Sequence, residues 1–422
     1  MISRNLPITL FEHESIFLDK GEKRITKEQF VALQKYYGDG VPFYSLKNNG
    51  VQFNEYVGVI QIGKTIIEIL PKADKNDVDN NKWRDILIGM LKAVGSFDIK
   101  ATSDSNLKIK PNTILDLYFE MFIKEVEYLL HNGLIKQYRK KEGNVTALKG
   151  SLLFGKHIQE NVTHQERFYV SHTTYDAVHK LHIILYKTIK ILKEINTNVS
   201  LHSRIGNLLL HFPEMPGIKI TESMFEKLIF TRKNQSYKKA IDIAKLILLK
   251  YHPDVSKGRN HVLALMFDMN VLWEKFVYVS LLKDKSATTT ITSQTSKNFW
   301  KPEKGGNSKI RPDIVINEER EDCIVLDTKW KNLNGYNPSS DDLRQMYVYH
   351  EYYNSKKVAL VYPGNTDDSN KGFYEPTPSH NIIDKECSII TLAIPDAESE
   401  NKNVIRKWQE KIKNRIFALT NN

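Results

Sequence analysis

Two short aliphatic runs, Ile314-Val315-Ile316 and Ile324-Val325-Leu326, bracket an almost wholly charged stretch from Asn317 to Asp322. Runs this short, rich in β-branched residues and separated by a polar turn, predict a hairpin. A turn centred on Arg320 sets Asp313 opposite Asp327. Cross-strand neighbours hold their Cβ atoms about 4.5–5.5 Å apart, close enough for two carboxylates to share one ion. Alternation along the second strand puts Asp327 and Lys329 on one face, with Thr328 pointing away. Neither apolar run alternates with polar residues, so both faces of the sheet are expected to be covered, with the acids at its rim.

The pattern Arg311-Pro312-Asp313 followed by Asp327-Thr328-Lys329 is short, and 26% of the chain is charged. Taken alone, it also fits a surface ion-pair cluster on a hairpin. Two look-alikes, Pro253-Asp254 and Pro395-Asp396, lead into hydrophilic sequence with neither a strand nor an acid-x-Lys partner. The flanks of the true candidate differ. Residues 340–353 carry Leu343, Met346 and Tyr347 at helical spacing, and residues 357–363 read as a further strand. Upstream, residues 261–282 read as one long apolar helix that carries Glu274 among Leu272, Trp273, Phe276 and Val277.

This succession of a helix with Glu274, an Asp strand, an Asp-x-Lys strand, a helix with Gln345 and Tyr349, and a final strand resembles the PD-(D/E)xK nuclease core over residues 261–365. More narrowly, five segments resemble the McrC nuclease subunits of McrBC-type restriction systems. They are Asp268-Met269-Asn270, Trp273-Glu274-Lys275-Phe276, Arg311-Pro312-Asp313, Leu326-Asp327-Thr328-Lys329-Trp330-Lys331 and Arg344-Gln345-Met346-Tyr347-Val348-Tyr349. A separate N-terminal resemblance lies at Tyr56-Val57-Gly58-Val59-Ile60 and Ile67-Glu68-Ile69-Leu70-Pro71-Lys72.

The resemblance implies metal-assisted hydrolysis of DNA. Asp313 and Asp327 would bind Mg²⁺, with Mn²⁺ as a substitute, and the backbone carbonyl of Thr328 would add a ligand. Lys329 would orient the attacking water, Glu274 would complete the cluster, and Gln345 would steady the lysine or the phosphate. The implied partners are double-stranded DNA and a hexameric GTP-hydrolysing AAA+ ring, entered and stimulated by the N-terminal half. A catalytically inactive, DNA-binding or ring-activating adaptor with a nuclease-like fold is the alternative.

Gly58-Val59-Ile60-Gln61-Ile62-Gly63-Lys64-Thr65 matches the phosphate-binding loop pattern of nucleotide hydrolases letter for letter. Such a loop needs a helix after it, whose N-terminal amides hold the phosphates. Thr65-Ile66-Ile67-Glu68-Ile69-Leu70-Pro71 is β-branched and closed by proline, so it reads as a strand, with a hairpin turn at Gly63-Lys64. No nucleotide is therefore expected on this chain.

At 422 residues the chain should contain two or three domains. The expected fold is α+β and multidomain: a mostly β partner-binding domain at 1–105, a helical spacer at 106–255 and an α/β nuclease domain at 256–422. Residues 251–260 read as the linker before the last of these. Two cysteines, no secretory start and no apolar run of about 20 residues lead to the expectation of a cytoplasmic protein without a membrane span. The net charge of +11 suits a polyanionic partner.

In the middle region, Ile114, Leu115, Tyr118, Phe119 and Phe122 share a helical face, for which Gly133 is the expected stop. Further helices are expected at 177–195 and 236–250, with Ser223 and Glu226 at capping-box spacing between them. His179 and His182 lack a third ligand at zinc-site spacing, so Asp176 is expected to cap a helix on which both are ordinary residues. Lys136–Lys141 reads as a solvated basic cluster. At the C-terminus, Ile405, Trp408, Ile412 and Ile416 form the apolar stripe of a packed helix.

Overall fold

The computed structural model describes residues 7–72, 79–94, 113–252, 261–283, 286, 288–333, 335–375, 385–395 and 404–419. By contact the chain forms two compact units, Ser103–His252 and the combination of Met1–Thr102 with Pro253–Asn422. The middle region is thus a unit of its own, whereas the N-terminal β region and the C-terminal region, expected as separate domains, belong to one.

The reason lies in a strand that the sequence reading took for helix. Residues 261–282 divide into the strand Val262–Asp268 and the helix Met269–Leu282. The strand pairs antiparallel with Tyr56–Ile62, which pairs with Thr65–Leu70, which in turn lies parallel to Ile8–Phe11. Val262-Leu263-Ala264-Leu265-Met266 is buried throughout, and an apolar run without alternation fits a covered strand as well as a helix. Asp268 ends the strand and caps the helix, its Oδ1 accepting from the amides of Asn270 (2.9 Å) and Val271 (3.2 Å).

The pairing explains the phosphate-loop look-alike. Gly58 lies opposite Met266 with φ of 138°, and a Cβ there would sit 2.1 Å from the carbonyl oxygen of Leu265. Glycine is thus required by strand contact. Gly63 and Lys64 form the turn between Tyr56–Ile62 and Thr65–Leu70, as expected.

The second sheet of this unit runs in the order Ile291–Ser293, Ile314–Ile316, Ile324–Thr328, Lys357–Gly364, Glu386–Ala393, Asp368–Phe373. The hairpin registers Ile314 with Leu326, Val315 with Val325 and Ile316 with Ile324, which centres its turn on Arg320. Ile324–Thr328 then crosses through the helix Ser340–Tyr353 to the parallel strand Lys357–Gly364. Val325, Val358, Leu360 and Met346 pack on the side of that helix. By alternation Ile314, Leu326 and Ala359 face the other way, and they are equally buried, so both faces are covered. Trp273 of the helix Met269–Leu282 donates through Nε1 to Val361 O (3.3 Å) and stacks near Trp408 of the C-terminal helix Val404–Phe417.

The middle unit contains the helices Ile114–His131, Lys180–Ile195, Val199–His211 and Lys238–Lys250. Gly133 adopts a φ of 83° just past the first of them. It is not purely helical, because Gln137–Val145 and Phe168–Asp176 form an antiparallel pair. The charges of Arg139-Lys140-Lys141-Glu142 mask the strand in the sequence; the last three are exposed on it. Asp176 ends a strand and pairs with Arg139 (3.1 Å), and the cap of Lys180–Ile195 is His179, whose Nδ1 accepts from the amide of Leu181. His182 is buried and bonded to Ala177 O and Tyr237 Oη. The helix Glu222–Glu226 is capped by Thr221 without a side-chain bond, so the expected Ser223/Glu226 box does not form.

Gly58→Ala is expected to lower the stability of the unit by at least about 2 kcal/mol in urea unfolding, because strain at positive φ adds to the clash with Leu265. An unchanged midpoint would contradict this account of the pairing.

Candidate active site

One register step beyond the Ile314 and Leu326 pair, the hairpin brings Asp313 and Asp327 together at the rim of the sheet, as the sequence predicts. Asp313 Oδ2 accepts from the Thr328 amide (2.7 Å) and from Thr328 Oγ1 (2.8 Å). Thr328, expected to point away, therefore locks the first acid to the second strand through its amide and hydroxyl. Asp327, 2% exposed, lies 2.8 Å from Lys329 Nζ through Oδ2. At this distance the ammonium and the carboxylate form a charge-assisted contact.

Gln345, one turn before Tyr349 on the helix Ser340–Tyr353, donates through Nε2 to Asp327 Oδ1 (3.4 Å) and to Tyr349 Oη (2.7 Å). Tyr349 Oη donates to Arg311 O (3.3 Å), which ties the helix to the strand entering Asp313. Gln345 thus reaches an acid and the tyrosine, not the lysine.

Glu274 stands apart. Its Oε1 accepts from Gln294 Nε2 at 2.5 Å, and among the described residues no three His, Cys, Asp or Glu side chains gather into a metal-binding group. It does not complete an acid cluster in this structure, although Asp313 is near enough to raise its pKa after burial does so.

The electrostatics follow from burial and crowding. Asp327 is pushed up to about 6 by desolvation first and by Asp313 second, against the pull of Lys329. Burial raises Asp313 as well, opposed by the two bonds from Thr328. Burial alone would lower Lys329, but Asp327 and Asp313 outweigh it and hold the ammonium above its ordinary range. Two crowded acids that resist ionising together and one lysine that keeps its proton form a set that a divalent cation would relax. Two carboxylates suit a hard ion such as Mg²⁺, and among the described residues no His or Cys donor joins them in a metal-binding group.

The sequence reading missed how Lys329 is backed. Its amide donates to Val361 O (3.0 Å), while the next residue, Trp330, donates its amide to Asn270 Oδ1 (3.2 Å) and its indole N–H to Glu12 Oε1 (2.9 Å). Glu12 also accepts from the Lys72 amide (2.7 Å). Asn270 and Trp330 lay in motifs visible in the sequence, whereas nothing around Glu12 marked it.

Desolvation pushes Glu12 from 4.5 up to about 7. The folded state then binds more protons than the unfolded chain between those values, so this group lowers stability as pH rises through that window. Glu12→Gln keeps an acceptor and cannot ionise. Urea unfolding should find it more stable than wild type at pH 8, by on the order of 3 kcal/mol, and little different at pH 5. An equal gap at both pH values would rule out burial of charge as its source.

The family model for McrBC 5-methylcytosine restriction system components matches residues 51–363. A chain of the refined half-complex from the tetradecameric assembly of Thermococcus gammatolerans McrB AAA+ hexamers with bound McrC is similar in structure, with a TM-score of 0.68 and 20% identity over 97% of this chain and 100% of that one. At that identity the likeness is one of fold. A chain of the cryo-EM structure of the Thermococcus gammatolerans McrBC complex matches with a TM-score of 0.49 and 20% identity over 66% of this chain and 87% of that one. No curated protein matches the sequence.

Proposed function

Because the chain belongs to the family of McrBC 5-methylcytosine restriction system components, we propose that it is the McrC-type nuclease subunit, a metal-dependent PD-(D/E)xK endonuclease acting on double-stranded DNA. The observation that carries this reading is the hairpin register that juxtaposes Asp313 and Asp327, with Lys329 ion-paired to the second acid.

Asp313, Asp327 and the Thr328 carbonyl would hold Mg²⁺, for which Mn²⁺ substitutes. When bound, the ion supplies Lewis acidity to the scissile phosphate and makes a water more acidic. Lys329 stays protonated beside two acids, so its work is to orient the water and to offset charge growing on the phosphate oxygens. Thr328 fixes Asp313, and Gln345 fixes Asp327 from the opposite wall. Glu274, engaged by Gln294, serves as an auxiliary acid from its helix.

The partner in this reading is a McrB-like hexameric AAA+ GTPase, which the N-terminal half binds and stimulates. The shared fold with a chain from an assembly of McrB AAA+ hexamers with bound McrC supports it. So does the assignment of residues 58–65 to a hairpin, which leaves nucleotide binding to the partner. No helix among the described residues is long and apolar enough to cross a membrane.

The test is DNA cleavage by the chain with its AAA+ partner, GTP and Mg²⁺. Asp327→Ala should reduce cutting by at least about a hundredfold, with ring GTP hydrolysis retained. Equal cutting by the variant would remove Asp327 from the site, and a GTP-hydrolysing complex that never cuts would favour the inactive adaptor.

A further inference from the structure

Beside the carboxylate pair, a two-stranded hairpin of Lys297–Trp300 and Ser308–Ile310 stands against the helix Ser340–Tyr353. Tyr352 Oη donates to Phe299 O (3.3 Å), Tyr353 Oη donates to Thr295 O (2.9 Å), and Lys297 Nζ donates to Tyr352 O (3.2 Å). The ladder skips a residue between Asn298 and Trp300. The residue between them is Phe299, and bulges of this kind re-aim a side chain next to functional sites. Its ring lies 5.5 Å from that of Tyr352.

Between hairpin and helix lies a cleft of about 710 Å³, whose wall includes Phe299, Lys309 and Arg311 on one side and Gln345 and Tyr349 on the other. Gln345 and Tyr349 are the residues that reach Asp327 and Arg311 O, so the cleft and the candidate active site share a wall. Residues 297–311 carry Lys297, Lys301, Lys304, Lys309 and Arg311 against a single acid, Glu303. Lys301, Lys304, Lys309 and Arg311 are exposed, and no ion pair engages them among the described residues. Two aromatic rings stay open beside these charges, with Phe299 47% and Trp300 59% exposed.

We propose that this hairpin and cleft seat the DNA strand that leads to the scissile phosphate, with its backbone along Lys301, Lys304 and Lys309 and an unstacked base against Trp300 or Phe299. The occupant follows from charge complementarity and from continuity with the carboxylate pair. Cations that track phosphates give salt-dependent affinity, and open aromatic rings give stacking that tolerates any base. The inference rests on the nuclease reading for the identity of the site, but its test is separable from cleavage.

The probe is a fluorescein-labelled 20-nucleotide single strand, titrated with the full chain in EDTA at several salt concentrations. Trp300→Ala should weaken binding about tenfold, and the triple change Lys301→Ala, Lys304→Ala, Lys309→Ala should lower the salt slope by on the order of 2. Phe299→Ala provides a second stacking variant, and thermal midpoints check that each variant folds. Wild type that fails to bind at low salt, or variants with unchanged affinity and slope, would overturn the proposal even if the enzyme cuts DNA. Hairpin-dependent binding without any cleavage would uphold it while the nuclease reading fell.

Discussion

The pairing of Tyr56–Ile62 with Val262–Asp268 joins segments some two hundred residues apart, and the candidate site depends on it. It adds Val262–Asp268 to the N-terminal strands, and the same strand runs without a loop into the helix that carries Asn270, Trp273 and Glu274. Close approach here requires a residue without Cβ at Gly58, which admits the Leu265 carbonyl. Long-range antiparallel pairing of this kind is slow to find and entropically costly, and burial of Val59, Ile60, Ala264 and Leu265 offsets that cost.

From that sheet, two contacts reach the chain just past the strand Ile324–Thr328. Glu12 and Asn270 hold Trp330 by its indole and its amide, and Trp330 is the residue after Lys329. The lysine is thereby fixed from behind by a buried aromatic, which also packs edge-on against Trp273 at 5.5 Å. In front, Thr328 and Gln345 fix the acids. A site whose charges repel one another needs this rigidity, because water cannot relax groups held in the sheet rim.

Much of the site was legible because its elements are local. Two aliphatic triplets and a mostly charged six-residue turn sufficed to place Asp313 opposite Asp327, and Leu343, Met346 and Tyr347 marked the crossover helix. The strand Val262–Asp268 was not legible, because periodicity does not distinguish a fully buried strand from the start of a buried helix. For the same reason the two ends of the chain were read as separate domains. Glu12 was invisible because its partners, Lys72 and Trp330, are distant in sequence. The pairing of Glu274 with Gln294 was equally hidden, since it depends on how a strand beyond the helix returns.

Asp313 and Asp327 share a crowded, largely desolvated rim, and one lysine offsets them only in part. We propose that a divalent ion coordinated by this pair is the counterpart to that arrangement. Isothermal titration of the purified full chain with Mn²⁺ tests it directly, with wild type compared against the double variant Asp313→Asn, Asp327→Asn. One ion bound per chain in wild type and none in the variant is the result this account predicts. An ion bound equally by both proteins, or by neither, would contradict it.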